Sequence, residues 1–344
     1  MKANFNIMNL VRENVKALSP YRSARDEFEG EASISLDANE NPFDHKNLNR
    51  YPDPYQRKLK QKISELKGVK ESSIFLGNGS DEAIDLLIRA FCEPREDSIL
   101  IFTPTYGMYQ ISADINAVET VEIPLTNDFQ IDVESASKID AKVTFICSPN
   151  NPTGNDMDTQ IVESILRTSK GLVIIDEAYI DFSKRKSWTE RLEEFPNLVV
   201  LQTFSKAYGM ASIRLGMAFA NEEIVSILNK IKPPYNVNGL TQNYALQALE
   251  NKEAVLSEID TILQERQGMK MALLKLKEVR KIYPSEANFL LIEIDRAKVL
   301  YQHLAEKGIV VRDRSSQVEH ALRITIGTPK ENKTLIENIK AFYA

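Results

Sequence analysis

The chain has 344 residues, 43% of them hydrophobic and 27% charged, and carries a net charge of −6. That is the make-up of an ordinary soluble globular protein with room for about two domains, and its acidity argues against an extended nucleic-acid-binding surface. Two cysteines, Cys92 and Cys147, and three histidines show no metal-ligand spacing, which points away from a zinc or iron–sulfur centre and toward a reducing compartment.

In chain order, the opening MKANFNIMNLVREN has no sustained apolar core and no cleavage-site pattern. No stretch approaches the length of a membrane span, so a cytoplasmic location is expected. SPYRSAR (19–25) and LDANENP (36–42) are rich in turn residues and predict an irregular start. A strand–helix alternation then begins. SIFL (73–76) reads as a strand, and DEAIDLLIRAF (81–91) as a helix with Ile84, Leu87, Ile88 and Phe91 on one face. SILIF (98–102), KVTFIC (142–147), LVIID (172–176), LVVLQ (198–202) and RLGMAFA (214–220) follow as short apolar strands. Several are apolar throughout, the pattern of strands covered on both faces, and together they predict a mainly parallel α/β sheet. The basic run Lys184–Arg185–Lys186 reads as a solvated loop. PPYNVNG (233–239) is a break, and long helical stretches run on to about residue 277. ANFLLIEI, KVLYQHLAEKG, IVVRD, LRITIG and ENKTLIENIKAFY then read strand, helix, strand, strand, helix. The expected division is an N-terminal arm (1–44) packing with a smaller C-terminal unit (241–344), and a larger central unit (45–240).

In open α/β sheets ligands bind outside the carboxyl ends of the strands, so the residues just past each strand end are the informative ones. After SIFL comes GNGSDE (77–82), where the amides of Ser80 and Asp81 at a helix start can face an anion, or the segment is a plain helix cap. It lacks the third glycine of a dinucleotide fingerprint, and no P-loop occurs in the chain. After SILIF, Tyr106 in TPTYGMY offers an aromatic face for a planar ligand or a place in the core. After KVTFIC, SPNNPTG holds Asn150 and Asn151 between prolines, as amide donors or as a simple turn. LVIID ends in Asp176, a carboxylate that is costly at the end of an apolar strand unless paired; a pyridinium nitrogen is one partner, a helix cap another role. TFSKAYGMAS (203–212) follows LVVLQ and sets Lys206 in a turn of small and hydroxyl residues, with Ser205 beside it and Arg214 close behind. An amine, a hydroxyl and a guanidinium together suit an aldehyde cofactor that carries a phosphate, which is what pyridoxal 5′-phosphate requires.

These motifs, with VRENVKALSPYRSAR (11–25), NRYPDP, RAFCEP, DEAY and LRITIGT (322–328), resemble the histidinol-phosphate aminotransferase family in order and spacing over nearly the whole chain. The resemblance implies a fold-type-I pyridoxal-phosphate-dependent transferase, with a large domain built on a mainly parallel seven-stranded sheet covered by helices and a smaller α+β domain. It implies Lys206 as the Schiff-base lysine and Asp176 as partner of the cofactor's ring nitrogen. Asn151 and Tyr179 would bind the ring oxygen, Tyr106 would stack on the ring, and the Ser80–Asp81 amides, Ser205 and Arg214 would hold the phosphate. Tyr51 would reach that phosphate from the other subunit of a homodimer with shared sites. Arg323 would hold the substrate anion, helped by Tyr21 and Arg312. The reaction implied is amino transfer from histidinol phosphate to 2-oxoglutarate, giving imidazole-acetol phosphate and glutamate, as part of histidine biosynthesis. Related small aminotransferases for aromatic amino acids, and a threonine-phosphate decarboxylase, share the same core motifs. A regulator with an aminotransferase-like body would need a helix-turn-helix domain ahead of the core, and only about forty residues precede it here.

Overall fold

Four of the apolar runs are strands buried from end to end in the computed structural model: β4 (Val143–Cys147), β5 (Leu172–Asp176), β6 (Leu198–Thr203) and β7 (Leu215–Ala220). The structure describes residues 5–20, 34, 36–44, 46 and 48–344. With β1 (Ile74–Asn78), β2 (Ser98–Thr103) and β3 (Glu119–Pro124) they form a sheet in the order β1-β7-β6-β5-β4-β2-β3. The pairings among β2 to β6 are parallel, and β7 runs antiparallel to both β6 and β1. Strand β3 has no counterpart in the sequence reading. It is the sheet edge, its exposed positions carry Glu119, Glu122 and Pro124, and an apolar-run criterion passes over such a strand.

Helices cover both faces. On one side Ile84, Leu87 and Phe91 of the helix Gly79–Phe91 and Ile224 and Leu228 of the helix Glu222–Ile231 pack on Val199, Leu201, Ala218 and Phe145. On the other, Leu59 and Ile63 of the helix Arg57–Lys67 and Val162 and Leu166 of the helix Thr159–Thr168 meet Val200, Ile175 and Leu100. Each fully buried Leu, Ile or Phe side chain contributes roughly 1.5–3 kcal/mol by leaving water, so this two-sided core is what holds the strand ends in register.

A second, antiparallel sheet has the order β10-β11-β9-β8, from β8 (Val279–Ile282), β9 (Phe289–Ile294), β10 (Arg312–Asp313) and β11 (Ala321–Thr325). Leu273, Leu300, Leu304, Leu335 and Ile339, from the helices Lys252–Leu273, Ala297–Glu306 and Pro329–Tyr343, pack on its Leu290, Ile292 and Ile324. The run IVVRD contributes only its last two residues as strand. The last helix starts on a capping box, with Glu331 and Thr328 bonded reciprocally.

The N-terminal arm differs from the expectation. Ile7, Val11 and Val15 are buried against the helix Gly79–Phe91 of the larger sheet, and Arg12 ties down there through Glu93 and the Ala90 carbonyl, rather than joining the smaller sheet. The anchoring apolar residues come from separate short pieces, Ile7 in a 3-10 turn (Ile7–Asn9), Val15 in a five-residue helix (Glu13–Ala17) and Val11 in the link between them. Among the described residues no helix is long and apolar enough to cross a membrane.

Candidate active site

The strand ends that the sequence singled out meet around one cavity of about 390 Å³, walled on one side by the larger sheet and on the other by arginines of the smaller one. Each wall has a local cause. Strand β1 turns directly into the helix Gly79–Phe91 through Gly79, which adopts φ +73°, a conformation that favours glycine. A side chain at Gly216 on the neighbouring β7 would strike the backbone of Gly79 and Ser80 at 2.2–2.3 Å, so glycine there lets the helix start close against the sheet. No side chain caps this helix, and Gly79 to Asp81, its first-turn residues, line the cavity. Arg214 stands over this turn, with its Nη2 3.3 Å from Asp81 Oδ2, and the Tyr106 hydroxyl donates to Asp81 Oδ1 at 3.0 Å. Ser205 enters the same wall, its amide donating to Thr203 Oγ1 at 3.1 Å.

Lys206 projects from an exposed turn position after β6, 5.8 Å from the centre of the Tyr179 ring. The cavity walls and the Arg323 guanidinium hold its pKa below the usual lysine value, against the opposing pull of Asp176. Asp176, 2% exposed, ends β5 at the floor. Burial pushes its carboxyl up to about 6, while the Tyr109 hydroxyl and the Ala178 amide, at 2.7 and 3.0 Å, favour the charged form. Tyr179 is buried edge-on against Phe289, and burial raises its hydroxyl above the usual range. Asn151 is buried and accepts a hydrogen bond at Oδ1 from Arg323 Nη1, a contact joining the loop after β4 to the smaller sheet.

The strand pairing explains the arginines. Arg312 and Arg323 are directly opposite each other in the β10–β11 ladder and so share a face. Arg314, two residues beyond Arg312, also lines the cavity. It is the more enclosed: Arg312 is exposed, whereas Nε of Arg314, like Nε of Arg323, is buried without a hydrogen-bond partner. Burial and the other two guanidiniums lower the pKa of Arg314. No carboxylate lies within ion-pair distance of Arg312, Arg314 or Arg323 among the described residues. Three cations round one opening, none of them ion-paired among the described residues, are arranged to receive an anion.

The cavity thus brings together Ser80, Asp81, Tyr106, Asn151, Asp176, Tyr179, Ser205, Lys206, Arg214, Arg312 and Arg323. Tyr51 is elsewhere in this single chain: it stacks on Tyr235 at 4.5 Å and lies, 51% exposed, on a face shared with Leu240. Tyr21 lies outside the described residues. Two residues were missed. Tyr109 sits in the first turn of the helix Met108–Ile115, just after Tyr106, and only its contact with the distant Asp176 gives it a place beside the cavity. Arg314 follows Arg312 at the period of a strand, which points both to one side. The basic run 184–186 is corrected in its middle: Lys184 and Lys186 are exposed, but Arg185 turns in, donating to the Ser148 carbonyl at 3.1 Å beside the buried Glu177.

The residues fit a pyridine-ring cofactor with a phosphate. The buried carboxylate of Asp176 has no cation bonded to it, Lys206 has no carboxylate partner within ion-pair distance among the described residues, and a helix N-terminus with Arg214 makes an anion cradle at the right end.

A model of the aminotransferase class I and II family matches residues 31–339 of the chain. The chain is 54% identical to a histidinol-phosphate aminotransferase of Christiangramia forsetii and 52% identical to one of Flavobacterium johnsoniae, each alignment covering 98% of both proteins. Among solved structures, the histidinol-phosphate aminotransferase from Clostridium acetobutylicum superposes with a TM-score of 0.80 at 27% identity, over 86% of this chain and 91% of that one.

Proposed function

The chain belongs to the class I and II aminotransferases, in their histidinol-phosphate aminotransferase branch, and on that premise we propose that it moves the amino group of histidinol phosphate to 2-oxoglutarate with pyridoxal 5′-phosphate held in the cavity. Its fold is that of the fold-type-I aminotransferases. The observation that carries the reading is the convergence of Lys206, the buried Asp176 and three arginines on one opening.

When bound, the cofactor supplies an electron sink for the substrate carbon that loses its proton. The chain does the rest. Lys206 would anchor the cofactor and, freed when the substrate amine takes its place, would take the proton from that carbon at Nζ; burial and the nearby Arg323 favour its neutral amine. Asp176 would keep the ring nitrogen protonated, Asn151 and Tyr179 would hold the ring oxygen, Tyr106 would pack on the ring, and the amides of Ser80 and Asp81 with Ser205 and Arg214 would take the phosphate. Arg323 binds the phosphate of one substrate and the carboxylate of the other, because a guanidinium fork matches both. Arg312, Arg314 and Tyr21 add to the site for the more highly charged phosphate.

The test is to offer histidinol phosphate, phenylalanine and threonine phosphate in turn to cofactor-loaded protein and follow loss of the cofactor's visible absorbance. Histidinol phosphate is expected to react fastest; loss of carbon dioxide from threonine phosphate at a comparable rate would replace the proposal by a decarboxylase. In the same assay Arg323→Ala should slow both half-reactions roughly 10- to 150-fold, the effect of losing a charge-assisted contact of about 1.5–3 kcal/mol. Arg312→Ala and Arg314→Ala should impair histidinol phosphate more than glutamate, and Arg314→Ala more than Arg312→Ala because its head is the more enclosed.

We place Tyr51 in the site of a second copy. Tyr51, Leu240 and Tyr244 leave exposed aromatic and apolar surface along this segment and the helix that follows Asn238, which suits an interface between copies. Mixing inactive Lys206→Ala subunits with inactive Tyr51→Ala subunits should then restore activity, since a hybrid dimer assembles one complete site. Activity that stays at the level of the separate variants, or a monomer at working concentration, would remove Tyr51 from the site.

A further inference from the structure

Asp176 is held from below by a residue that touches neither ligand side of the cavity. Tyr109, in the first turn of the helix Met108–Ile115, is 0% exposed, and its hydroxyl donates to Asp176 Oδ2 at 2.7 Å. Its ring is fixed independently of that bond. It stacks on Phe145 of β4 at 4.6 Å and 10°, and takes the edge of Tyr106 at 5.6 Å and 84°. The other carboxylate oxygen, Oδ1, accepts from the Ala178 amide at 3.0 Å. Each oxygen of Asp176 therefore has one fixed donor, and the carboxylate can neither rotate nor exchange oxygens without breaking one of them.

From this geometry, and resting on the reading of the cavity as a pyridoxal-phosphate site, we infer that Tyr109 is a positioning residue that sets where the proton between Asp176 and the cofactor's ring nitrogen resides. A carboxylate in this place faces opposed demands. It has to stay charged to keep a proton on the ring nitrogen, yet burial favours its neutral form. Asp81, from the helix Gly79–Phe91, adds a like charge and pushes the same way; Lys206, from the turn after β6, pushes back. Cys147 on β4 and Tyr179 after β5 are neutral neighbours, since burial raises both well above their usual range. The Tyr109 hydroxyl is likewise held protonated by burial, so it acts as a permanent donor to the charged carboxylate. Without it, Asp176 becomes the better base and draws the shared proton off the ring.

Tyr109→Phe keeps the stack on Phe145 and removes only the hydroxyl, so it isolates this effect. The measurement is the ¹⁵N chemical shift of pyridoxal phosphate labelled at its ring nitrogen and bound to the whole protein. The wild-type signal should stand at the protonated position, and the Tyr109→Phe signal should move toward the unprotonated one. The rate constant kcat should fall about tenfold or more, a factor equivalent to 1.4 kcal/mol, while KM for both substrates stays put because Tyr109 meets neither. Phe145→Leu loosens the stack and keeps the hydroxyl, and its signal should remain at the wild-type position. An unmoved signal in Tyr109→Phe overturns the inference, and so does an equal movement in Phe145→Leu, which would assign the effect to packing. Wild-type protein that takes up no pyridoxal phosphate at Lys206 would instead overturn the reading of the cavity, and this inference with it.

Discussion

Lys206→Ala should give a folded protein that takes up pyridoxal phosphate without bonding to it and transfers no amino group above background. The lysine projects from an exposed turn position and is not part of any of the buried apolar clusters, so its removal breaks no packing. Its charge is unwelcome where it is: the cavity walls, Arg323 and Arg214 all lower its pKa. The folded chain thus holds this proton less tightly than the unfolded chain, and the lysine's contribution to stability rises with pH between its lowered pKa and the ordinary value of 10.5. At pH 7 the cofactor-free variant should melt at or above the wild-type temperature. Loss of both the covalent anchor and the proton carrier should remove several powers of ten in rate, each about 1.4 kcal/mol of barrier. Turnover at the normal rate would refute the assignment of the whole cavity; a large drop in melting temperature would show that the turn depends on the lysine structurally.

Asp176→Asn should retain the cofactor and lose nearly as much rate, since a neutral amide cannot keep the ring nitrogen protonated. The fold should tolerate it. Tyr109 can reverse its hydroxyl and accept from the new amide, as a phenol both donates and accepts. A loss of less than about tenfold, under 1.4 kcal/mol, would reduce Asp176 to the partner of the Ala178 amide. The cofactor-free protein gives a second measurement. Burial raises the Asp176 carboxyl from 3.8 to about 6, so across that window the folded chain keeps a proton that the unfolded chain has released. Stability therefore falls as pH climbs from 3.8 to about 6, and the full penalty, on the order of 3 kcal/mol, stands above that window. Asp176→Asn should lack this fall, so its unfolding free energy should gain on wild type between pH 3.8 and about 6 and keep that lead above it. A pH-independent difference between the two would mean that Asp176 is ionised at the usual carboxylate pH.

What could be read from the sequence followed from burial. A strand covered on both faces is apolar at every position, so β4 to β7 and the residues at their ends, Asp176 and Lys206 among them, stood out. An edge strand such as β3, with polar residues turned outward, carries no such mark. Arg185 was hidden by its neighbours, because two exposed lysines make the run look solvated while the residue between them points the other way. Tyr109 was missed for a different reason. Its value lies in a contact to Asp176, 67 residues away, and periodicity within one helix says nothing of what waits opposite. Tyr51 escapes a single chain altogether if its partner is another copy.

The reversed direction of β7 separates the cavity's parts by the distance along the chain over which each must close. Because β6 and β7 are antiparallel neighbours, the turn that carries Lys206 is a closed loop of eleven residues, shut by Phe204 N donating to Leu215 O at 3.1 Å. The grip of Arg323 on Asn151 spans 172 residues. Loop-closure entropy grows with the logarithm of length, so the longer closure costs roughly 2 kcal/mol more before any packing is counted. The lysine turn is in this sense a local object, complete within two adjacent strands, whereas the anion grip exists only once the far ends of the chain have docked. Loosening that docking, by heat, denaturant or a distant substitution, should therefore open the Arg323–Asn151 contact before the lysine turn, an order that hydrogen exchange at the two sites would read.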